Sequence, residues 1–140
     1  MTRAASPAPL YLDTSAVLRA ALESGTTPEI EERISTAPLL ITSRLSLVEA
    51  SRALLRVRSM GSVPEARLAD VTRDITRLWL RCDIWELSRS VCELAAHVAP
   101  AARLRTLDAL HLATFLLARE AIADLELLTA DERLREAATG

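Results

Sequence analysis

The feature that most constrains the fold is an alternation of short apolar runs with longer stretches that have helical spacing. The apolar runs fall at residues 10–12, 37–43, 82–87 and 125–129. They are apolar on both faces, which is typical of strands in a parallel sheet that helices cover. The alternation therefore predicts an α/β fold with a short, mainly parallel central sheet.

The stretches between these runs predict helices, whose ends are marked by capping and turn residues. Gly25 ends one helix and Pro28 opens the next, with acidic residues in its first turn, where the helix dipole favours them. Two long helices, over residues 44–58 and from Pro64 to Leu80, are expected to form a hairpin. The remaining predicted helices span residues 15–23, 88–98, 106–121 and 131–138.

The length and the net charge of the chain restrict its number of domains and the kinds of ligand that it can bind. The 140 residues suffice for one domain, which we place at residues 10–140, while residues 1–9, with two prolines, predict a flexible tail. The net charge of −2 excludes the global positive field of a general nucleic-acid binder but leaves room for local patches. All 17 basic residues are arginine, which codon bias explains better than phosphate binding does.

The spacing of the cysteines and the hydropathy of the chain indicate the cellular compartment in which the protein is located. Cys82 and Cys92 match no disulfide or zinc spacing, so a reducing compartment is expected. The N-terminal residues lack the apolar core of a signal peptide. The longest apolar stretch, LDALHLATFLLA, is too short to cross a membrane and contains Asp108 and His111. We therefore expect a soluble, cytoplasmic protein.

Two aspartates directly follow predicted strands. Asp13 comes after the run at 10–12, and Asp131 comes after the run at 125–129. Because the carboxyl ends of parallel strands meet at one edge of a sheet, where ligands bind, these two side chains are expected to be neighbours. The alternative is that each caps the helix that follows it, a role worth about 1 kcal/mol.

Asp108 lies in the first turn of a helix with apolar residues on nearly every side, so the helix is expected to be largely buried. A carboxylate on such a helix needs a partner. Apart from a functional site, the partner could be the helix N-terminus, worth about 0.3–1 kcal/mol, or Arg105. His111, on the same face as Asp108, is expected to pack and hydrogen-bond rather than to bind a metal.

Glu49 lies about one turn into the helix after the second predicted strand, so it can reach the same edge. A capping box with Ser46 or an ion pair with Arg52 would explain it without a site. Four carboxylates at one edge would repel and raise one another's pKa unless cations lie among them. Oxygen ligands suit Mg²⁺ or Mn²⁺, so the pattern indicates metal-assisted hydrolysis of a phosphodiester.

The chain carries four stretches in a fixed order, which are YLDTSAVL, TSRLSLVEASRALLR, RTLDALHLA and LLTADERLREAATG. Together they resemble the PIN-domain ribonucleases, and specifically the VapC toxins of type II toxin–antitoxin pairs. The resemblance implies a three-layer α/β/α sandwich with a four- or five-stranded sheet. It also implies a homodimeric, Mg²⁺- or Mn²⁺-dependent endoribonuclease with a water nucleophile, and a small VapB-like antitoxin whose tail enters the active-site groove.

The resemblance assigns catalytic roles to the four acids. Asp13 and Asp108 would hold the metal most directly. Glu49 would help to bind it and would orient the attacking water. Asp131 would complete the site or support a second ion.

Two small polar residues follow from the same resemblance, and three arginines follow from their position beside the acidic stretches. Ser15 and Thr129 would position waters or carboxylates beside the metal. Arg44, Arg103 and Arg105 border the acidic stretches and are candidates for contacts with RNA phosphates, with surface solvation as the alternative. The expected substrate is a loop of tRNA or rRNA.

Two other classes of α/β protein require residues that this sequence lacks. A phosphatase of the haloacid-dehalogenase kind needs a second acid where Ser15 stands, and a dinucleotide-binding domain needs glycines that are missing between Leu10 and Ser24. A PIN-like module that has lost catalysis and only binds RNA or protein is the stronger rival, but all four acids are present. Many relatives continue past the glycine matching Gly140 into a final strand, so the sequence leaves a fifth strand open.

Overall fold

The computed structural model of the protein describes residues 6–139. In chain order its elements are β1 (Leu10–Leu12), α1 (Thr14–Ala21), α2 (Pro28–Thr36), β2 (Leu40–Ser43), α3 (Arg44–Met60), α4 (Glu65–Arg81), β3 (Cys82–Trp85), α5 (Arg89–Ala95), α6 (Thr106–Ala121), β4 (Glu126–Leu128) and α7 (Glu132–Thr139). Each predicted strand and helix has a counterpart. The tail predicted for residues 1–9 lies largely outside the described range and stays a prediction.

The sheet formed by the described residues has four strands in the order β3-β2-β1-β4, and every neighbouring pair is parallel. In this register Leu12 lies opposite Thr42 on one side and Leu128 on the other. The carboxyl ends of β1, β2 and β4 therefore meet at one edge, as the sequence predicts for a parallel α/β fold.

Side chains of β1 alternate between two apolar cores. Leu10 and Leu12 lie in the core that α1, α2 and α4 cover, while Tyr11 lies in the core that α6 and α7 cover. Because helices bury both faces, the fold has three layers, α/β/α, which confirms the predicted architecture. The first core includes Val17, Ile30, Ile34, Val71 and Ile75, and the second includes Ile41, Leu112, Phe115 and Leu134.

Helix α3 begins directly at the end of β2, and this junction places Glu49 near the carboxyl edge. The Ser43 hydroxyl accepts a hydrogen bond from the backbone N–H of Leu45 at 3.0 Å, so Ser43 is the N-cap. The Thr42 hydroxyl donates to the carbonyl of Leu12 at 2.7 Å, which ties the junction to β1. Because Ser43 is the cap, the capping box of Ser46 and Glu49, one of the two alternatives to a site for Glu49, is not formed.

Among residues 6–139, no helix combines the length and the apolar character that crossing a membrane would require.

Candidate active site

The four predicted acids come from four different elements and line one cavity of about 230 Å³. Asp13 follows β1 and Asp131 follows β4, and these two strands are paired neighbours. Glu49 projects from α3, and Asp108 projects from the first turn of α6. The fold therefore brings together side chains that are up to 118 positions apart in the sequence.

Asp13 is 4% exposed, and donors surround its carboxylate. The backbone N–H of Ala16 donates to Oδ1 at 3.0 Å, so Asp13 does cap α1, as the alternative interpretation expects. The Ser15 hydroxyl lies 2.8 and 2.9 Å from the two oxygens, and the Thr129 hydroxyl donates to Oδ2 at 2.6 Å. Burial raises the pKa of Asp13, and these hydrogen bonds oppose the rise.

Ser15 and Thr129 connect the two turns that carry Asp13 and Asp131. The Ser15 hydroxyl accepts from the backbone N–H of Ala130 at 2.9 Å, and the Thr129 hydroxyl accepts from that of Asp131 at 2.9 Å. Each hydroxyl thus accepts from the turn after β4 and directs its proton toward Asp13. Both side chains therefore fix the position of the Asp13 carboxylate relative to the turn that carries Asp131.

Replacing Thr129 with valine is expected to lower the free energy of unfolding by about 1–3 kcal/mol, because a buried carboxylate loses a donor while the side-chain shape is kept. The loss should grow as pH rises and Asp13 ionises. Thr114→Val is the matched control, since that equally buried hydroxyl donates to a carbonyl, that of Leu110. Urea unfolding in EDTA measures both variants, and equal, pH-independent losses would contradict this role of Thr129.

Glu49 is held through a single oxygen. Its Oε1 accepts from the Thr14 hydroxyl at 2.6 Å and lies 2.7 Å from Nε2 of His111. Burial raises the pKa of Glu49, but the hydrogen bonds from His111 and Thr14 outweigh burial and hold the pKa below its usual range. Glu49 is thus ionised at neutral pH, and it bonds His111 rather than Arg52, the partner considered as the alternative to a site.

Asp108 is half-buried and has no hydrogen-bond partner in the part of the chain that the structure describes. Burial raises its pKa, and the negative charges of Asp131, Asp13 and Glu49 raise it further, while His111 opposes them. The ion pair with Arg105 that would have explained Asp108 without a site is not formed. Its electrostatic environment is instead that of the acidic cavity.

Asp131 caps α7. Its Oδ1 accepts from the backbone N–H of Arg133 at 2.9 Å, and the guanidinium of Arg135 donates to the carbonyl of Thr129 at 2.6 Å. These contacts hold the turn after β4. Like Asp13, Asp131 both caps a helix and lines the acidic cavity.

The three arginines proposed for RNA contacts have different surroundings. Nε of Arg44 donates to Glu86 at 2.8 Å in an exposed ion pair, and Arg44 does not line the acidic cavity. Arg105 lines a groove of about 620 Å³ that also contains Glu49, Asp108 and Asp131. Arg103 lines a separate, more apolar groove. Of the three, Arg105 is therefore the one placed beside the acids.

Several residues of the site were not identified from the sequence. Arg133 lines the same groove as Arg105, and Arg56 lines the acidic cavity itself. Thr14 bonds Glu49, although its position directly after Asp13 gives no sign of this contact. His111 packs and hydrogen-bonds, as predicted, but its partner could not be named from helical spacing.

The donor set suits a hard divalent cation, although the side chains are not arranged around one point. Between residues 6 and 139, no group of three or more His, Cys, Asp or Glu side chains could together hold a metal ion as they are placed. The cavity nevertheless offers carboxylate oxygens from four acids, the ligands that Mg²⁺ and Mn²⁺ prefer. Burial raises the pKa of Asp108, and the charges of Asp131, Asp13 and Glu49 raise it further, so a cation beside these carboxylates would be favourable.

The sequence of the chain matches the model of a known family. The model of the PIN domain matches residues 10–140, which include all the strands and helices described above. The chain therefore belongs to the PIN-domain family.

Within that family the chain is similar to VapC proteins. It is 33% identical over 132 residues to Ribonuclease VapC46 of Mycobacterium tuberculosis, a match that covers 94% of this chain and 91% of the relative. The resemblance to VapC proteins inferred from the four sequence stretches is thus confirmed.

Two solved structures share the fold. A toxin–antitoxin complex from Klebsiella pneumoniae matches with a TM-score of 0.61 at 21% identity, over 87% of this chain and 86% of that chain. VapC20 of Mycobacterium tuberculosis, a sarcin–ricin loop cleaving toxin, matches with a TM-score of 0.62 at 18% identity, over 91% and 94% of the two chains.

Proposed function

We propose that this chain is the ribonuclease toxin of a toxin–antitoxin pair and that it hydrolyses RNA phosphodiester bonds with a metal-activated water. The observation that carries the proposal is the single cavity lined by Asp13, Glu49, Asp108 and Asp131. The similarity to Ribonuclease VapC46 over nearly the whole chain supports the choice of RNA as substrate.

The roles of the acids follow from their surroundings. A Mg²⁺ or Mn²⁺ ion held by these carboxylates would lower the pKa of a bound water and offset negative charge on the phosphodiester. Asp13 is held rigidly by its donors, and Asp108 has no competing hydrogen bond, so these two are the primary ligands. Glu49, which is ionised, helps to bind the ion and orients the attacking water. Asp131 completes the ligand set or supports a second ion.

The groove beside the acids accommodates the RNA backbone. Arg105 and Arg133 line it, and their guanidinium groups can each bind a phosphate through two hydrogen bonds. The net charge of −2 makes this a local contact rather than a general affinity for nucleic acid. A single-stranded loop of tRNA or rRNA suits such a site, because unpaired nucleotides can be splayed into a groove. The sarcin–ricin loop named for VapC20 is a substrate of this kind.

We assign the chain a cognate VapB-like antitoxin that blocks the acidic groove, supported by the solved toxin–antitoxin complex with the same fold. A cytoplasmic homodimer is the proposed free form.

The metal part of the proposal is tested by thermal unfolding with and without Mn²⁺. At a free Mn²⁺ concentration one hundred times its Kd, binding stabilises the folded state by about 2.7 kcal/mol, which raises the melting temperature by roughly 10 °C. Asp13→Ala is expected to abolish this shift, whereas Asp70→Ala, which removes an exposed carboxylate on α4, should keep it. A wild-type protein indifferent to Mn²⁺ would favour a catalytically silent PIN-like module that only binds RNA or protein.

A further inference from the structure

A buried chain of side chains leads from the sheet to Glu49. The Tyr11 hydroxyl lies 2.9 Å from Nδ1 of His111, and Nε2 of His111 lies 2.7 Å from Oε1 of Glu49. Tyr11 is fully buried and His111 is 3% exposed. The three residues come from β1, α6 and α3, so the chain joins three elements at the site.

The partners of His111 determine which ring nitrogen carries a proton. Nε2 of His111 lies at hydrogen-bonding distance, 2.7 Å, from Oε1 of Glu49, and a carboxylate oxygen accepts hydrogen bonds, so Nε2 is the donor. In the neutral ring Nδ1 then has a lone pair, which accepts the Tyr11 hydroxyl proton. If the proton moved to Nδ1, the lone pair of Nε2 would face the carboxylate and repel it. Tyr11 therefore stabilises the tautomer that bonds Glu49.

The consequence for Glu49 lies in its two oxygens. His111 and Thr14 both contact Oε1, at 2.7 and 2.6 Å. In the described part of the chain, Oε2 of Glu49 accepts no hydrogen bond. Every buried side-chain oxygen in that part has a hydrogen-bond partner, so Oε2 is not buried and is accessible to solvent. Glu49 lines both the acidic cavity and the groove beside it. One oxygen is thus fixed while the other remains available to a ligand.

We propose that His111 is a positioning residue that, with its tautomer set by Tyr11, holds Oε1 of Glu49 so that Oε2 faces the acidic cavity. The inference rests on the proposed function, because it assigns Oε2 to the metal or to the attacking water. It goes beyond that function by giving the site a support on α6 and β1. Support of this kind from outside the ligand set typically changes metal affinity or activity by about 10–100-fold.

The test uses two amide variants of His111. The side-chain nitrogen of His111→Gln can reach the position of Nε2, whereas that of His111→Asn reaches only the position of Nδ1. Calorimetric titration with Mn²⁺ is expected to show affinity about 10–100-fold weaker for His111→Asn and close to the wild-type value for His111→Gln. The melting temperature in EDTA serves as the control for folding, since a merely structural role would move that temperature and leave the Mn²⁺ affinities of the two variants alike.

Two further measurements keep the inference testable if His111→Asn does not fold. Tyr11→Phe leaves His111 in place but frees its tautomer, and about a threefold to tenfold loss of Mn²⁺ affinity is expected. Nitrogen NMR of the metal-free wild type should show His111 protonated at Nε2, with the exposed His97, the second of the two histidines, as an internal reference.

The outcomes separate this inference from the proposed function. If the wild type binds no Mn²⁺, both fail. If the wild type binds Mn²⁺ and His111→Asn or Tyr11→Phe binds it equally well, only the role of His111 is overturned. A His111 ring protonated at Nδ1 alone would overturn it as well.

Discussion

Replacing Asp108 with asparagine is expected to stop RNA cleavage and, at the same time, to raise the melting temperature of the metal-free protein. In the proposed mechanism Asp108 is a primary metal ligand without a competing hydrogen bond. An amide there removes one of the negative charges that attract the cation, so we expect cleavage to fall by more than about a hundredfold.

The gain in stability follows from the raised pKa of Asp108. Burial and the neighbouring carboxylates raise this pKa above its usual range, so folding favours the protonated form. Protonated Asp108 contributes its full stabilisation below the pKa that it has in the unfolded chain, near 4. This stabilisation is lost as the pH rises through the higher pKa that Asp108 has in the folded protein. Asparagine does not ionise. At pH 7 the variant should therefore melt higher by roughly 2 °C, a small gain because water screens the half-exposed group.

Both effects can be measured on one preparation. Cleavage of a structured RNA in Mn²⁺ measures the activity. The melting temperature in EDTA between pH 4 and pH 8 measures the stability, and the difference in melting temperature between variant and wild type should grow with pH. Asp70→Asn, which changes an exposed carboxylate paired with Arg73, should alter neither. A variant of Asp108 that cleaves as fast as wild type would show that the site is wrongly assigned. One that melts lower at pH 7 would contradict the electrostatic account.

The architecture was predictable because local signals agree with the fold. Short strands apolar on both faces require helices on both sides, and Leu10, Tyr11 and Leu12 alternate between the two cores accordingly. The parallel order also places Asp13 and Asp131 at one edge without any knowledge of their contacts. For both residues the sequence is compatible with helix capping or with a place in the cavity, and in the structure each carboxylate caps a helix and also lines the cavity.

The partners of Glu49 were not predictable, because they are distant in sequence. Ser46 and Arg52 have suitable helical spacing, but Thr14 and His111, which are 35 and 62 positions away, make the contacts. Helical periodicity predicts on which face of a helix a residue lies, but it does not predict which distant residues contact that face. Arg44 illustrates the same limit, since its pairing with Glu86 depends on the junctions after β2 and β3 rather than on any local pattern.

Leu134→Ala is expected to lower the free energy of unfolding strongly. Helix α7 is only eight residues long, and Leu134 is its one fully buried side chain. It lies in the core with Tyr11, Leu112 and Phe115. Removing the buried side-chain atoms and leaving a cavity costs about 2–5 kcal/mol, which lowers the melting temperature by roughly 10 °C.

The same change should weaken the acidic site without altering any acid. Asp131 caps α7, and Arg135 connects that helix to the carbonyl of Thr129, so loosening α7 displaces both Asp131 and the turn that holds Asp13. Leu80→Ala, at a leucine that is 83% exposed on α4, is the matched control and should change stability by less than about 0.5 kcal/mol. Urea unfolding and Mn²⁺ titration measure the two effects. A Leu134→Ala protein that is destabilised but binds Mn²⁺ with wild-type affinity would show that Asp131 does not depend on α7 for its position.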